Sequence, residues 1–141
     1  MAEKLLTYKG LVYPWHCDHM GHMNVMWYVG KFDEATWAFF ASVGLTPEML
    51  RASDKGMAAL DQHLTYQKEV MPGDMLEVYT SVLEVKPKTI RFHHEMLSPE
   101  TGEVVATCML VAVHLDTKAR KGVALPDNVR EKAMAMIEVE G

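Results

Sequence analysis

Several things are scarce in this sequence, and each scarcity excludes something. There are two cysteines, Cys17 and Cys108, in 141 residues, too few for a disulfide framework. No apolar leader-like stretch with a cleavage site opens the chain, so a reduced, cytoplasmic setting is expected. No apolar run approaches the length of a bilayer span, and no membrane partner is expected. Basic residues are in the minority, 14 against 19 acidic, for a formal charge of −5. A groove that neutralises phosphates needs the opposite balance, so nucleic acid is not the expected partner. Phenylalanine is scarce at four, while methionine reaches 12. Methionine is flexible and polarizable, so it suits an adaptable core or an accommodating apolar site.

What is present is 49% hydrophobic and 23% charged, ordinary for a globular chain. The length predicts a single domain over residues 1–141, one that buries roughly 68–70% of its unfolded surface. A β-rich stretch, Leu5 to Tyr13, is stopped by Pro14. From Asn24 the period becomes helical: Val25, Tyr28, Phe32, Ala35, Phe39 and Val43 form a stripe that Val29, Thr36 and Phe40 widen. Asn24 is placed to cap this helix and Gly44 to stop it, with Pro47 beyond. A helix so apolar needs cover over much of its girth.

The remainder reads as β. A strand is predicted from Met57 to Val70, ending at the turn Met71-Pro72-Gly73-Asp74. Met75 to Val85 alternates, as does Thr89 to Leu97, with Lys86-Pro87-Lys88 between them. Glu103 to Leu115 is almost wholly apolar and is expected to be buried on both faces. A short helix is predicted from Asp127 to about Met136. One long helix followed by a meander implies an α+β domain with the helix on one sheet face, and strands joined by tight turns are expected to be neighbours. The outer face would be solvated, and unpaired edges would favour association with further copies.

The densest polar cluster, His16 to Asn24, runs directly into the N-terminus of the long helix. First-turn N–H groups lack intrahelical partners and carry the positive end of the helix dipole, so they suit an anion or a developing oxyanion. Asp18 just before them is placed to attack a carbonyl or to activate water, or simply to favour the dipole. His16, His19 and His22 recur every three residues beside Cys17, which invites a zinc reading. Pro14 and Gly21 argue against one continuous helical face there, so no metal is expected. His93 and His94 alternate to opposite faces of one strand. His63 shares a face with Asp61 and Thr65, which suits either a pocket lining or an exposed sheet face. Lys86, Lys88 and Arg91 form a small basic group in an acidic protein, either an ordinary solvated turn or an anchor for a phosphate-bearing ligand.

The run Asp18-His19-Met20-Gly21-His22-Met23-Asn24, followed by Tyr28 and Phe32-Asp33-Glu34-Ala35, resembles the 4-hydroxybenzoyl-CoA thioesterase-like family of hotdog-fold proteins, whose pattern is D-x-x-G-H-x-N-x-x-x-Y-x-x-x-F-(D/E)-x-A. The likeness continues at Tyr66, at Pro72-Gly73-Asp74-x-Leu76, at Lys88-Thr89, at Ala106-Thr107 and at Leu125-Pro126-Asp127. Val25 and Cys17 depart from the family's usual residues. The resemblance implies a hotdog fold, an antiparallel sheet of five or six strands wrapped round one long central helix, with a short C-terminal helix. It implies hydrolysis of a small or medium acyl-CoA to free acid and CoA without metal or other cofactor, in a homodimer or homotetramer with sites at the subunit interface. It assigns Asp18 as nucleophile or general base and the Val25 backbone N–H as the group that polarises the thioester carbonyl. Tyr28, His22, Asn24 and His63 are the expected acyl-pocket residues, and Lys86, Lys88 and Thr89 the residues that meet CoA.

Two other activities belong to the same fold. A hydratase or dehydratase would pair Asp with His at a longer spacing than that of Asp18 and His22. A non-catalytic acyl-CoA-binding module would not need Asp18 at the motif position.

Overall fold

The computed structural model describes residues 4–137. In chain order the elements are β1 (Leu5–Leu11), a 3-10 turn (Pro14–His16), α1 (Val25–Ser42), α2 (Pro47–Ala52), β2 (Lys55–Tyr66), β3 (Met75–Val85), β4 (Thr89–Leu97), β5 (Val104–Asp116), β6 (Lys121–Gly122) and α3 (Asp127–Ala135). The strands form one antiparallel sheet in the order β1-β3-β4-β5-β2, with β6 attached to the end of β5. The sheet curls around α1, giving the hotdog fold.

Helix α1 forms where the 3.6-residue apolar stripe begins. The Asn24 side chain accepts a hydrogen bond from Met26 N–H, which satisfies one of the first-turn donors. At the other end Gly44 takes a left-handed φ of +99° and its N–H bonds to the Ala41 carbonyl. Tyr28, Phe32, Ala35, Phe39 and Phe40 are buried against Val78, Val82, Ile90, Phe92, Met96, Cys108 and Leu110 of the sheet. Phe39 and Phe92 lie 4.9 Å apart, centroid to centroid. Leu125, Val129 and Ala133 close the core from the α3 side.

Four expectations need correction. The turn at residues 71–74 does not join neighbouring strands: β2 crosses over to the far edge and pairs with β5, while β1 pairs with β3. Alternation assigns a strand its faces but not its neighbours, and the helix α1 needs strands on both its sides. Strand β5 is buried on one face only, its residues alternating between buried and half-buried. Apolar residues such as Met109, Val111 and Val113 therefore line the outer face of the sheet. Helix α2 was not anticipated, because Pro47 reads as a stop signal yet here occupies the first turn of a new helix, where it has no N–H to waste. Strand β2 ends at Tyr66, short of Val70, because the N–H groups of Gln67 and Lys68 both turn to the Val105 carbonyl.

Candidate active site

The loop from Cys17 to Met23 is a tight reversal closed by a bridge between its two ends. Gly21 supplies the reversal at φ +88°, and its N–H bonds to the Asp18 carbonyl. Within this turn the half-exposed Asp18 carboxylate is held at both oxygens. Met20 N–H donates to Oδ1 at 2.8 Å, and Asn24 Nδ2 donates to Oδ2 at 2.7 Å. The Asn24 bond first, then the Met20 bond, hold the carboxyl below the usual carboxylate range. Asp18 is thus ionised, oriented, and joined through Asn24 to the helix cap. Asn24, expected in the acyl pocket, does not line the groove described below; its amide nitrogen bonds to Asp18 and its amide oxygen caps α1.

One donor of the first turn differs from its neighbours. Met26 N–H is taken by the Asn24 side chain and Trp27 N–H by the Asn24 carbonyl. Among the described residues Val25 N–H has no partner. Val25 also lines a groove of about 260 Å³ together with His22, Met23, Tyr28, Tyr66 and Glu69. The Tyr28 and Tyr66 rings meet edge to face at 5.2 Å. Tyr28 donates to the Lys68 carbonyl, and burial, followed by the nearby negative charge of Glu69, raises its hydroxyl above the ordinary range. His22 Nε2 lies 3.6 Å from Glu69 Oε1. Tyr66 and Glu69 entered no expectation of site residues, because β2 reaches the helix N-terminus only through the crossover.

Other candidates are placed elsewhere. The three loop histidines diverge: His16 is buried and its Nδ1 accepts from Tyr13 N–H, His19 is exposed, and His22 faces Glu69. His63 is not in the groove. It pairs with Met109, between the inward-facing Cys108 and Leu110, so it lies with Thr65 and Thr107 on the outer face. Trp27 packs on His16 and Trp15 stacks on Tyr13, so neither contributes to the groove wall. Of the methionines, Met23 is buried and lines the groove, whereas Met20 and Met26 are exposed.

The turn Lys86-Pro87-Lys88 and Thr89 connect β3 to β4 at the end of the sheet remote from Asp18. Thr89 lies in the row of Val113 and Ala58, whereas Tyr66 lies in the row of Ala106 and Met96. The two rows are separated by roughly 25 Å of strand. Lys86 stays close to Glu84 at 3.8 Å, and the Lys88 carbonyl accepts from His114 N–H.

The amino end of the sheet-wrapped helix thus carries an ionised carboxylate in the loop before it and one first-turn N–H without a partner among the described residues. Residues 12–133 match the thioesterase-like superfamily; the chain belongs to that family and is a thioester hydrolase. It is similar to the betainyl-CoA thioesterase of Pseudomonas aeruginosa, 28% identical over 98% of this chain and 87% of that protein. It is 36% identical, over 77% of its own length, to the L-carnitine dehydrogenase/betainyl-CoA thioesterase of Agrobacterium fabrum, of which it covers 22%. In fold it matches a Staphylococcus aureus protein solved in complex with CoA, with a TM-score of 0.89 at 19% identity, covering 98% of this chain and 89% of that one.

Proposed function

We propose that this chain hydrolyses a small acyl-CoA thioester, with Asp18 and Val25 N–H acting on the carbonyl and the Tyr28–Tyr66 groove holding the acyl group. The observation that carries the reading is the pairing of a doubly hydrogen-bonded carboxylate with the one first-turn donor left open. A carbonyl oxygen bonded to Val25 N–H would sit at the positive end of α1, where charge developing on it is stabilised. The two bonds to Asp18 still leave lone pairs on each oxygen, one of which attacks the carbonyl carbon or takes a proton from the attacking water. The thiolate of CoA leaves, and water supplies the oxygen of the free acid.

The CoA anchor requires a second copy of the chain. β2 is an edge strand, largely exposed along its middle, with Leu60 62% exposed. Antiparallel pairing of two such edges about a two-fold axis sets the Ala58 end of one copy against the Tyr66 end of the other. The Lys86–Thr89 turn of one copy then lies on the side of the other copy's Asp18. Thus Lys86, Lys88 and Thr89 act on CoA bound at the partner's groove. A cytoplasmic location fits the two free thiols, Cys17 half-buried and Cys108 buried.

The names of two relatives put betainyl-CoA first among substrates to try. The test is thiol release from a panel of short, aromatic, cationic and longer acyl-CoA esters. Asp18→Asn is expected to lower kcat by about a hundredfold or more while the protein remains folded. Hydrolysis of no ester by the wild type, or full activity in Asp18→Asn, would overturn the reading. Single-turnover hydrolysis in ¹⁸O-water tests for attack by Asp18: water that opens the acyl-Asp18 anhydride at the Asp18 carbonyl leaves ¹⁸O in the enzyme carboxylate and ¹⁶O in the product, whereas base catalysis sends ¹⁸O to the product.

A further inference from the structure

We infer that Glu69 is a specificity-determining residue that makes the groove select positively charged acyl groups, a step that rests on the thioesterase reading above. Four observations converge on it. First, Glu69 lines the same groove as Val25, so an acyl group whose carbonyl is bonded to Val25 N–H lies near it. Second, the other formal charge in that wall is already answered: Lys68 is paired with Glu103, which leaves the negative charge of Glu69 as the net charge of the groove. Third, among the described residues the ion-pair partner of Glu69 is His22, at 3.6 Å, whose imidazole is charged only when protonated. Fourth, Tyr28 and Tyr66 both line the groove, so aromatic surface stands in the same wall as the carboxylate residue.

These elements suit a quaternary ammonium better than a primary amine. A quaternary nitrogen has no N–H to donate, so it is recognised by aromatic faces and by a carboxylate at a distance, not by hydrogen bonds. The groove supplies both. The side chain of Glu69 is 72% exposed, so its attraction is partly screened, and the preference it creates responds to ionic strength. Reach decides which cavity is used. A second cavity between α1 and β2, of about 70 Å³ and lined by Asp33, Trp37 and Phe40 among others, also combines a carboxylate with aromatic rings. Those three residues lie about two to four helical turns beyond Val25, roughly 12 Å or more along the axis, out of range of a two-carbon acyl group.

The experiment measures kcat/KM for two CoA esters of the same shape, trimethylammonioacetyl-CoA and its neutral isostere tert-butylacetyl-CoA. Wild-type enzyme is expected to prefer the cationic ester, and Glu69→Gln to lower that preference by about tenfold. Added salt is expected to weaken the preference in wild type and to leave it unchanged in Glu69→Gln. Glu69→Lys is expected to reverse the order and to favour succinyl-CoA over the cationic ester. The quantity read is a ratio, so a general loss of activity in a variant does not imitate the effect. An unchanged ratio in Glu69→Gln, or equal use of the two isosteres by wild type, would overturn this inference and leave the thioesterase reading standing. Hydrolysis of no CoA ester at all would overturn both.

Discussion

At the scale of single residues, the most constrained polar group after Asp18 is His94. It is fully buried, stacked on Phe32, and both ring nitrogens are bonded: Nε2 with Thr36 Oγ1 at 2.8 Å and Nδ1 with Thr80 Oγ1 at 2.7 Å. The chain continues from Thr80 to Thr7, and ends at the carbonyls of Val78 and Phe32. It can run in either direction, so either neutral tautomer is satisfied. A charged imidazolium would have no carboxylate among these partners, and burial pushes its pKa down to about 3 from the ordinary 6.5. The unfolded chain therefore binds a proton at His94 between these values that the folded chain does not, so stability rises with pH across this window. The neutral ring's contribution is complete above pH 6.5 and is lost as the pH falls toward 3. Urea unfolding of wild type and His94→Gln is expected to differ in its pH slope, wild type being steeper by up to about 1.4 kcal/mol per pH unit. Alternation along β4 predicted that His94 faces away from His93, but not that two threonines from other elements would close on it. Cys108 illustrates the same limit: in an apolar strand it is expected to be a core residue, and burial raises its thiol to about 12, which makes it inert.

At the scale of elements, the fold depends on how α1 begins and ends. Its start joins stability to chemistry, since Asn24 both caps the helix and fixes Asp18. Its end depends on Gly44, where a Cβ would meet Asn128 Nδ2 at 3.3 Å and the φ of +99° disfavours any side chain. Gly44→Ala is expected to cost about 1–2 kcal/mol, read as a fall in Tm with thioesterase kinetics preserved in the folded protein. The strands β3 and β4 match their predicted spans because each alternates cleanly between Pro or Gly signals. Helix α2 does not, since a proline marks both the end of one helix and the start of the next, nor does the end of β2, where Gln67 and Lys68 both turn their N–H groups to the Val105 carbonyl.

For the whole molecule, the decisive fact is that one chain does not bring its own basic turn to its own carboxylate. The proposed dimer follows from that separation and predicts complementation between variants. Asp18→Asn retains the turn, and Lys86→Ala/Lys88→Ala retains the carboxylate. Each is expected to be weakly active on CoA esters as a homodimer. Mixed and allowed to exchange subunits, they are expected to form heterodimers with one intact site, so activity rises to about a quarter of wild type in an equimolar mixture with random exchange. Activity that stays at the mean of the two parents after subunit exchange would show that each chain works alone. Light scattering gives the mass of the assembly independently.

The sequence alone determined what depends on neighbours along the chain: the capped helix, the alternating strands, the turn that presents Asp18 beside a helix N-terminus, and the family motif that unites them. These features are local, since hydrogen-bond periodicity and steric limits on the backbone act over a few residues. Tertiary structure decided which strands are neighbours, and hence which distant side chains share a groove. Tyr66 and Glu69 reach Tyr28 because β2 crosses to the sheet edge, and His63 is turned outward by the same register. Strand order follows from covering an apolar helix on both sides, a demand of the whole core that no stretch of sequence states by itself.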